Sequence, residues 1–80
     1  MAWKFEGSRI RILRESRGLN PTQLGKRIGA TGQQVSQWES GEVLPGAEFI
    51  MKISDALEAI PGSFFVPDEA RDESRKEVSP

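Results

Sequence analysis

The stretch from Asn20 to Gly41, NPTQLGKRIGATGQQVSQWESG, concentrates side chains suited to recognition rather than reaction. Gln33, Gln34 and Gln37 carry carboxamides that both accept and donate hydrogen bonds, and Asn20 and Thr31 add short polar groups suited to starting helices. Bond-making chemistry has little to draw on. The 80-residue chain contains no cysteine and no histidine, which removes disulfides, thiolate nucleophiles, imidazole bases and the two commonest zinc ligands. Among the remaining carboxylates and hydroxyls no nucleophile and base pair or metal constellation is visible, and GATGQQ is too short for a phosphate-binding loop. The expectation is a binding protein and not an enzyme, with no metal and no cofactor.

The elements that must position these groups read as helices throughout. Ser8 to Arg17 carries Ile10 and Leu13, with Ile12 beside them, on an arginine-rich segment that Gly18 stops. A second helix is punctuated by Asn20 at the N-cap, Pro21 at the first helical position and Gln23 as the capping-box partner. Its buried face is Leu24 and Ile28, and Gly29 ends it. Thr31 caps a third helix with Gln34 as partner, Val35 and Trp38 face inward, and Gly41 closes it. Ala47 to Leu57 repeats Ile50, Ile53 and Leu57 at helical spacing, and Pro61 opens a short fifth helix ending at Phe65. Phe64 and Phe65 should close the core beneath the fourth helix. Trp3 and Phe5 should fold back over the first helix or form part of a dimer surface. The organisation expected is an N-terminal arm over 1–7, a domain over 8–65 and a charged, disordered tail over 66–80.

Gly25 lies inside a helix, where it costs roughly 1 kcal/mol relative to alanine, so close approach of another helix is expected there. Gly29, one turn later, suits the positive φ of a sharp turn. Together with Leu24, Ile28, Val35 and Trp38 this is the spacing of a helix-turn-helix, whose second helix is displayed outward.

Charge is unevenly spread. The net charge is −1, yet six of the seven cations within residues 8–65 (Arg9, Arg11, Arg14, Arg17, Lys26 and Arg27) precede Gly29, while residues 66–80 hold five acidic side chains against three basic. The first half of the folded part is basic and the second acidic. The longest apolar runs, such as Phe49 to Met51, fall far short of the ~20 residues of a membrane span, and MAWKFEG lacks a signal-peptide core. A cytoplasmic protein without membrane partners is expected.

RIRILRESRGL, QLGKRIG, QQVSQWESG and LPG followed by IMKISDALEAIPGSFF resemble the helix-turn-helix domain shared by phage Cro and C1 repressors and bacterial XRE-type regulators. The likeness runs from about Arg9 to Phe65 and includes the order of five helices. It implies an all-α, compact five-helix, lambda-repressor-like DNA-binding domain whose helix-turn-helix is formed by helices 2 and 3. It further implies a sequence-specific regulator of transcription, a repressor, that sets helix 3 in the major groove of double-stranded DNA and occupies paired half-sites as a weak homodimer. Gly32, Gln33 and Gln37 match base-reading positions, and a glutamine amide can bond adenine bidentately. Phosphate contacts are expected from helix N-termini and flanking polar or basic groups: Asn20 and Thr31, with simple N-capping as the alternative, Gln34, and Lys26 and Arg27, with ordinary solvation as the alternative. The resemblance further implies that Arg14 and Glu39 form a structural ion pair between helices.

Several positions depart from the family pattern. Pro21 stands where a glutamine often touches phosphate, Gly32 where a longer side chain often reads a base, and Glu42, Val43 and Leu44 where relatives carry cations. These departures imply a shallow salt dependence, and they leave open a protein-interaction module on the same fold, an antitoxin or coactivator-like adaptor with a protein partner.

Overall fold

In the computed structural model, which describes residues 2–68, four α-helices stand between two short strands. The order is β1 (Trp3–Phe5), α1 (Ser8–Ser16), α2 (Pro21–Ile28), α3 (Gly32–Ser40), α4 (Ala47–Leu57), a 3-10 turn (Pro61–Phe64) and β2 (Phe65–Pro67). The fifth α-helix expected after Pro61 is that single 3-10 turn. Four residues with a glycine among them give too few intrahelical bonds to offset the cost of nucleating an α-helix.

The strands are the second departure from an all-helical reading. β1 and β2 pair antiparallel with Trp3 opposite Pro67, Lys4 opposite Val66 and Phe5 opposite Phe65. The Phe5 and Phe65 rings meet edge to face at 5.8 Å, a favoured aromatic geometry, and both side chains are half-buried against the core. The arm therefore packs on the chain segment after the last helical turn, and Val66 and Pro67, placed in the tail by composition, belong to a strand. Asp68, also placed in the tail, donates its amide to the Ala2 carbonyl, and 69–80 lie outside the described residues.

Ile10, Leu24, Ile28, Val35, Trp38, Ile53, Leu57 and Phe64 form the buried core, drawn from all four helices and the 3-10 turn. Each such side chain contributes about 1.5–3 kcal/mol on leaving water. Ile12, by contrast, is 60% exposed, so the inner face of α1 is Ile10 and the buried Arg14.

Three helix ends show how the chain is turned. Gly41 stops α3 at φ 83° and Gly29 stops α2 at φ 79°, both left-handed, as expected of glycine. α4 stops at Glu58 with φ 56°, a conformation that L side chains rarely adopt. The Arg17 guanidinium reaches the same end, donating from Nε at 3.1 Å and Nη2 at 2.8 Å to the Leu57 carbonyl, which lacks a partner within its helix.

Candidate nucleic-acid interface

The displayed helix is fixed first by its caps. Asn20 Oδ1 accepts from the Gln23 amide and Gln23 Oε1 accepts from the Asn20 amide, both at 2.8 Å. The arrangement repeats one helix later: Thr31 Oγ1 accepts from the Gln34 amide at 3.0 Å and Gln34 Oε1 from the Thr31 amide at 2.9 Å. Two capping boxes satisfy four backbone donors that helix geometry leaves unpaired. They also occupy the side-chain oxygens. Each of Asn20, Gln23 and Gln34 keeps its NH₂ group to donate, and Gln34 Oε1, which also accepts from the Thr31 hydroxyl at 3.4 Å, has both lone pairs engaged.

The turn between α2 and α3 brings these caps together. Gly25 is buried, and a Cβ on it would lie 2.5 Å from the Ala30 carbonyl oxygen and 3.1 Å from Thr31 carbon. Its neighbour is thus the backbone of the turn doubling back, rather than another helix as the sequence suggested. Gly32, the first residue of α3, has the same relation to the start of α2: a Cβ there would lie 2.7 Å from Thr22 Oγ1 and 3.1 Å from the Thr22 amide nitrogen. The N-termini of α2 and α3 therefore converge. Thr22, Gly32 and Gln33 place backbone N–H groups in first turns, where the helix offers no carbonyl to them, and the positive ends of two helix dipoles add to the same region.

On α3, Val35 and Trp38 are buried, Gln33, Gln34, Ser36 and Ser40 are exposed, and Gln37 is half-buried one turn after Gln33. Gln33 and Gln37 share a stripe away from the core. Gly32 faces α2, so its contribution to any ligand is its amide N–H and not a side chain. Asn20, Thr31 and Gln34 cluster at the converging helix starts. Lys26 and Arg27 lie in the last turn of α2, and Arg27 shares a shallow cleft with Gly29 and with Lys52, Asp55 and Ala56 of α4. The expected phosphate group is therefore split between the two ends of α2. Thr22 was missed by sequence reasoning, although its place between Pro21 and Gln23 in the first turn marks it.

The tilt of α3 is held from behind by Arg14. Its Nε donates to Glu39 Oε2 at 2.6 Å, Nη2 to Glu39 Oε1 at 3.0 Å and Nη1 to the Leu19 carbonyl at 2.7 Å. One planar guanidinium joins α1, the α1–α2 turn and the last turn of α3. Hydrogen bonding to Glu39 raises the Arg14 pKa above its ordinary value, against the lowering effect of burial. The pair consumes the negative charge of α3, leaving its outer surface uncharged. Gly7, the residue before α1, completes the support: a Cβ on it would run into the Trp38 carbonyl oxygen and lie 2.9 Å from that of Glu39.

The loop after α3 carries no cation. Glu42, Val43 and Leu44 are exposed, the Glu42 and Val43 amides donate to the Gln37 carbonyl at 3.0 and 3.2 Å, and Pro45 is buried. Among the described residues, no group of histidine, cysteine and carboxylate side chains could hold a metal, and no helix is long and apolar enough to cross a membrane.

Residues 10–65 match the family described as Helix-turn-helix. An uncharacterized HTH-type transcriptional regulator of Sinorhizobium fredii is 41% identical over 69 residues, covering 84% of this chain and 48% of that protein. Repressor protein C2 of Salmonella phage P22 is 36% identical over 61 residues, covering 76% of this chain and 28% of the repressor. The chain spans about half the length of the Sinorhizobium regulators it matches. Among solved structures, the P22 c2 repressor in complex with a synthetic operator superposes with a TM-score of 0.72 at 33% identity, covering 76% of this chain and 92% of that one.

Proposed function

Because the chain belongs to the helix-turn-helix family, in its Cro/C1 or XRE-type branch, we propose that it binds double-stranded DNA sequence-specifically and regulates transcription as a repressor. The observation that carries this reading is the concentration of hydrogen-bond donors at the converging starts of α2 and α3. The side-chain oxygens of Asn20, Gln23, Thr31 and Gln34 are turned to backbone amides in the capping boxes, while the amide NH₂ groups and the first-turn N–H groups of Thr22, Gly32 and Gln33 are donors. Donors gathered at two helix starts, on a surface without net charge, are matched by phosphate oxygens. Gln33 and Gln37 then stand over base edges, where each amide pairs with adenine.

The similar P22 c2 repressor, solved in complex with a synthetic operator, supports DNA as the ligand, and α3, the displayed second helix of the motif, would enter the major groove. Two copies would occupy half-sites about one DNA turn apart, roughly 34 Å, as a weak dimer in the cytoplasm. Exposure of Leu44 at 68% beside Glu42 favours a second reading, in which this loop meets a protein while α3 holds DNA or in place of DNA.

Fluorescence anisotropy with DNA from the protein's own control region, using the unaltered chain and Gln37→Ala, tests the base-reading role. Loss of one bidentate contact weakens specific binding by about 1–3 kcal/mol and leaves nonspecific binding unchanged. Equal affinity of both proteins for specific and scrambled DNA would sink it.

A further inference from the structure

The β1–β2 ribbon plays no part in the reading above, and its two edges differ. The Glu6 amide donates to the Phe64 carbonyl at 2.7 Å and the Asp68 amide to the Ala2 carbonyl at 3.0 Å. With Lys4 opposite Val66, these bonds put the inward-pointing backbone groups at Ala2, Lys4 and Glu6. The N–H and C=O groups of Trp3 and Phe5 therefore point away from β2. The outer edge of β2 is closed to a further strand, because the Phe65 amide already donates to the Gly62 carbonyl and Pro67 has no N–H. Among the described residues no other element packs extensively along β1, and Trp3 is 62% exposed.

We propose that the outer edge of β1 captures an extended segment of another protein, of the pattern apolar–acidic–apolar, as an added antiparallel strand. Trp3 and Phe5 would exchange backbone hydrogen bonds with the two apolar residues, whose side chains join the Trp3 and Phe5 face of the ribbon. Lys4, on the other face, sits opposite the central residue at the non-hydrogen-bonded position, where side chains come closest. Lys4 has no ion pair among the described residues, so a carboxylate there completes it. The same lysine selects against a second copy of this chain: pairing β1 with β1 in this register would set Lys4 opposite Lys4.

The test is an NMR titration of ¹⁵N-labelled protein with two capped nonapeptides, GSTVEVTSG and GSTVKVTSG. The glutamate peptide should shift the Trp3 and Phe5 amides saturably and bind about five-fold more tightly than the lysine peptide, the discrimination expected of a cross-strand charge pair. Lys4→Glu should invert that preference. Trp3→Pro removes an outward donor without touching the β1–β2 bonds and should abolish the response. Equal response to both peptides, shifts confined to residues outside β1, persistence of the preference in Lys4→Glu, or peptide-independent self-association through β1 would each overturn the assignment. None of these readouts depends on DNA.

Discussion

Replacing Arg14 by methionine should destabilise the protein more than replacing Glu39 by methionine, and the difference follows from where the two charges lie. Both side chains are only 8% exposed, so either replacement leaves the other group largely out of water. Removing one member of a buried ion pair costs about 3–5 kcal/mol. Arg14→Met strands the Glu39 carboxylate in the last turn of α3, where the helix dipole is unfavourable to an anion, and also frees the Leu19 carbonyl. Glu39→Met strands a guanidinium in the last turn of α1, where the dipole favours a cation, and the Leu19 bond survives. Expected losses are about 4 kcal/mol for Arg14→Met and about 2–3 kcal/mol for Glu39→Met. The double variant should fall well short of the sum, because the interaction is lost only once. Urea unfolding followed by far-ultraviolet circular dichroism measures all three. Losses below about 1 kcal/mol for both single variants, or a larger loss for Glu39→Met, would refute this account of the pair.

Gly32→Ala should cost about 1–3 kcal/mol by thermal melting, since its Cβ presses on Thr22 Oγ1 and amide nitrogen. Adding Thr22→Ala should restore only part of that loss, because the backbone contact remains. Glu58→Gly removes a left-handed L residue at the end of α4; the relief exceeds the added unfolded-state entropy by about 0.5 kcal/mol, which raises the melting temperature by roughly 2–4 °C in calorimetry. Between Asn20 and Leu44 the only cations are Lys26 and Arg27. The plot of log affinity against log salt should therefore have a slope of about −2 per half-site, measured on specific DNA from 50 to 200 mM salt, where about −0.9 is expected per neutralised phosphate.

The helical frame was legible because its signals are local. Asn20 with Gln23 and Thr31 with Gln34 are pairs three residues apart, and Gly29 and Gly41 mark turns by the φ only glycine takes easily. The ribbon was not legible, because Trp3 and Phe5 find Pro67 and Phe65 across nearly the whole described chain, and three-residue strands carry no usable alternation. The stop at Glu58 has no sequence mark, since Arg17 and the packing of Ala59 hold a conformation that glutamate does not prefer. At the interface, the exposed stripe of α3 followed from Val35 and Trp38 being inside. That Gly32 faces Thr22, and Gly25 the Ala30 carbonyl, depends on the angle between two helices, which spacing alone does not supply. The separation of Lys26 and Arg27 from Asn20 was legible, since both lie in the last turn of a helix that Asn20 starts.

Gly7 has a dynamic consequence. It joins β1 to α1 while its backbone rests on the carbonyls of Trp38 and Glu39, so peeling the arm away beyond Glu6 must lift the first turn of α1 off the end of α3. Ala2 to Phe5 can fray alone; past Gly7, opening becomes sub-global and includes the end of the displayed helix. Amide exchange along the N-terminus should therefore rise in protection as a step at Gly7 rather than as a gradient, with the residues beyond it and the last turn of α3 exchanging as one cooperative unit.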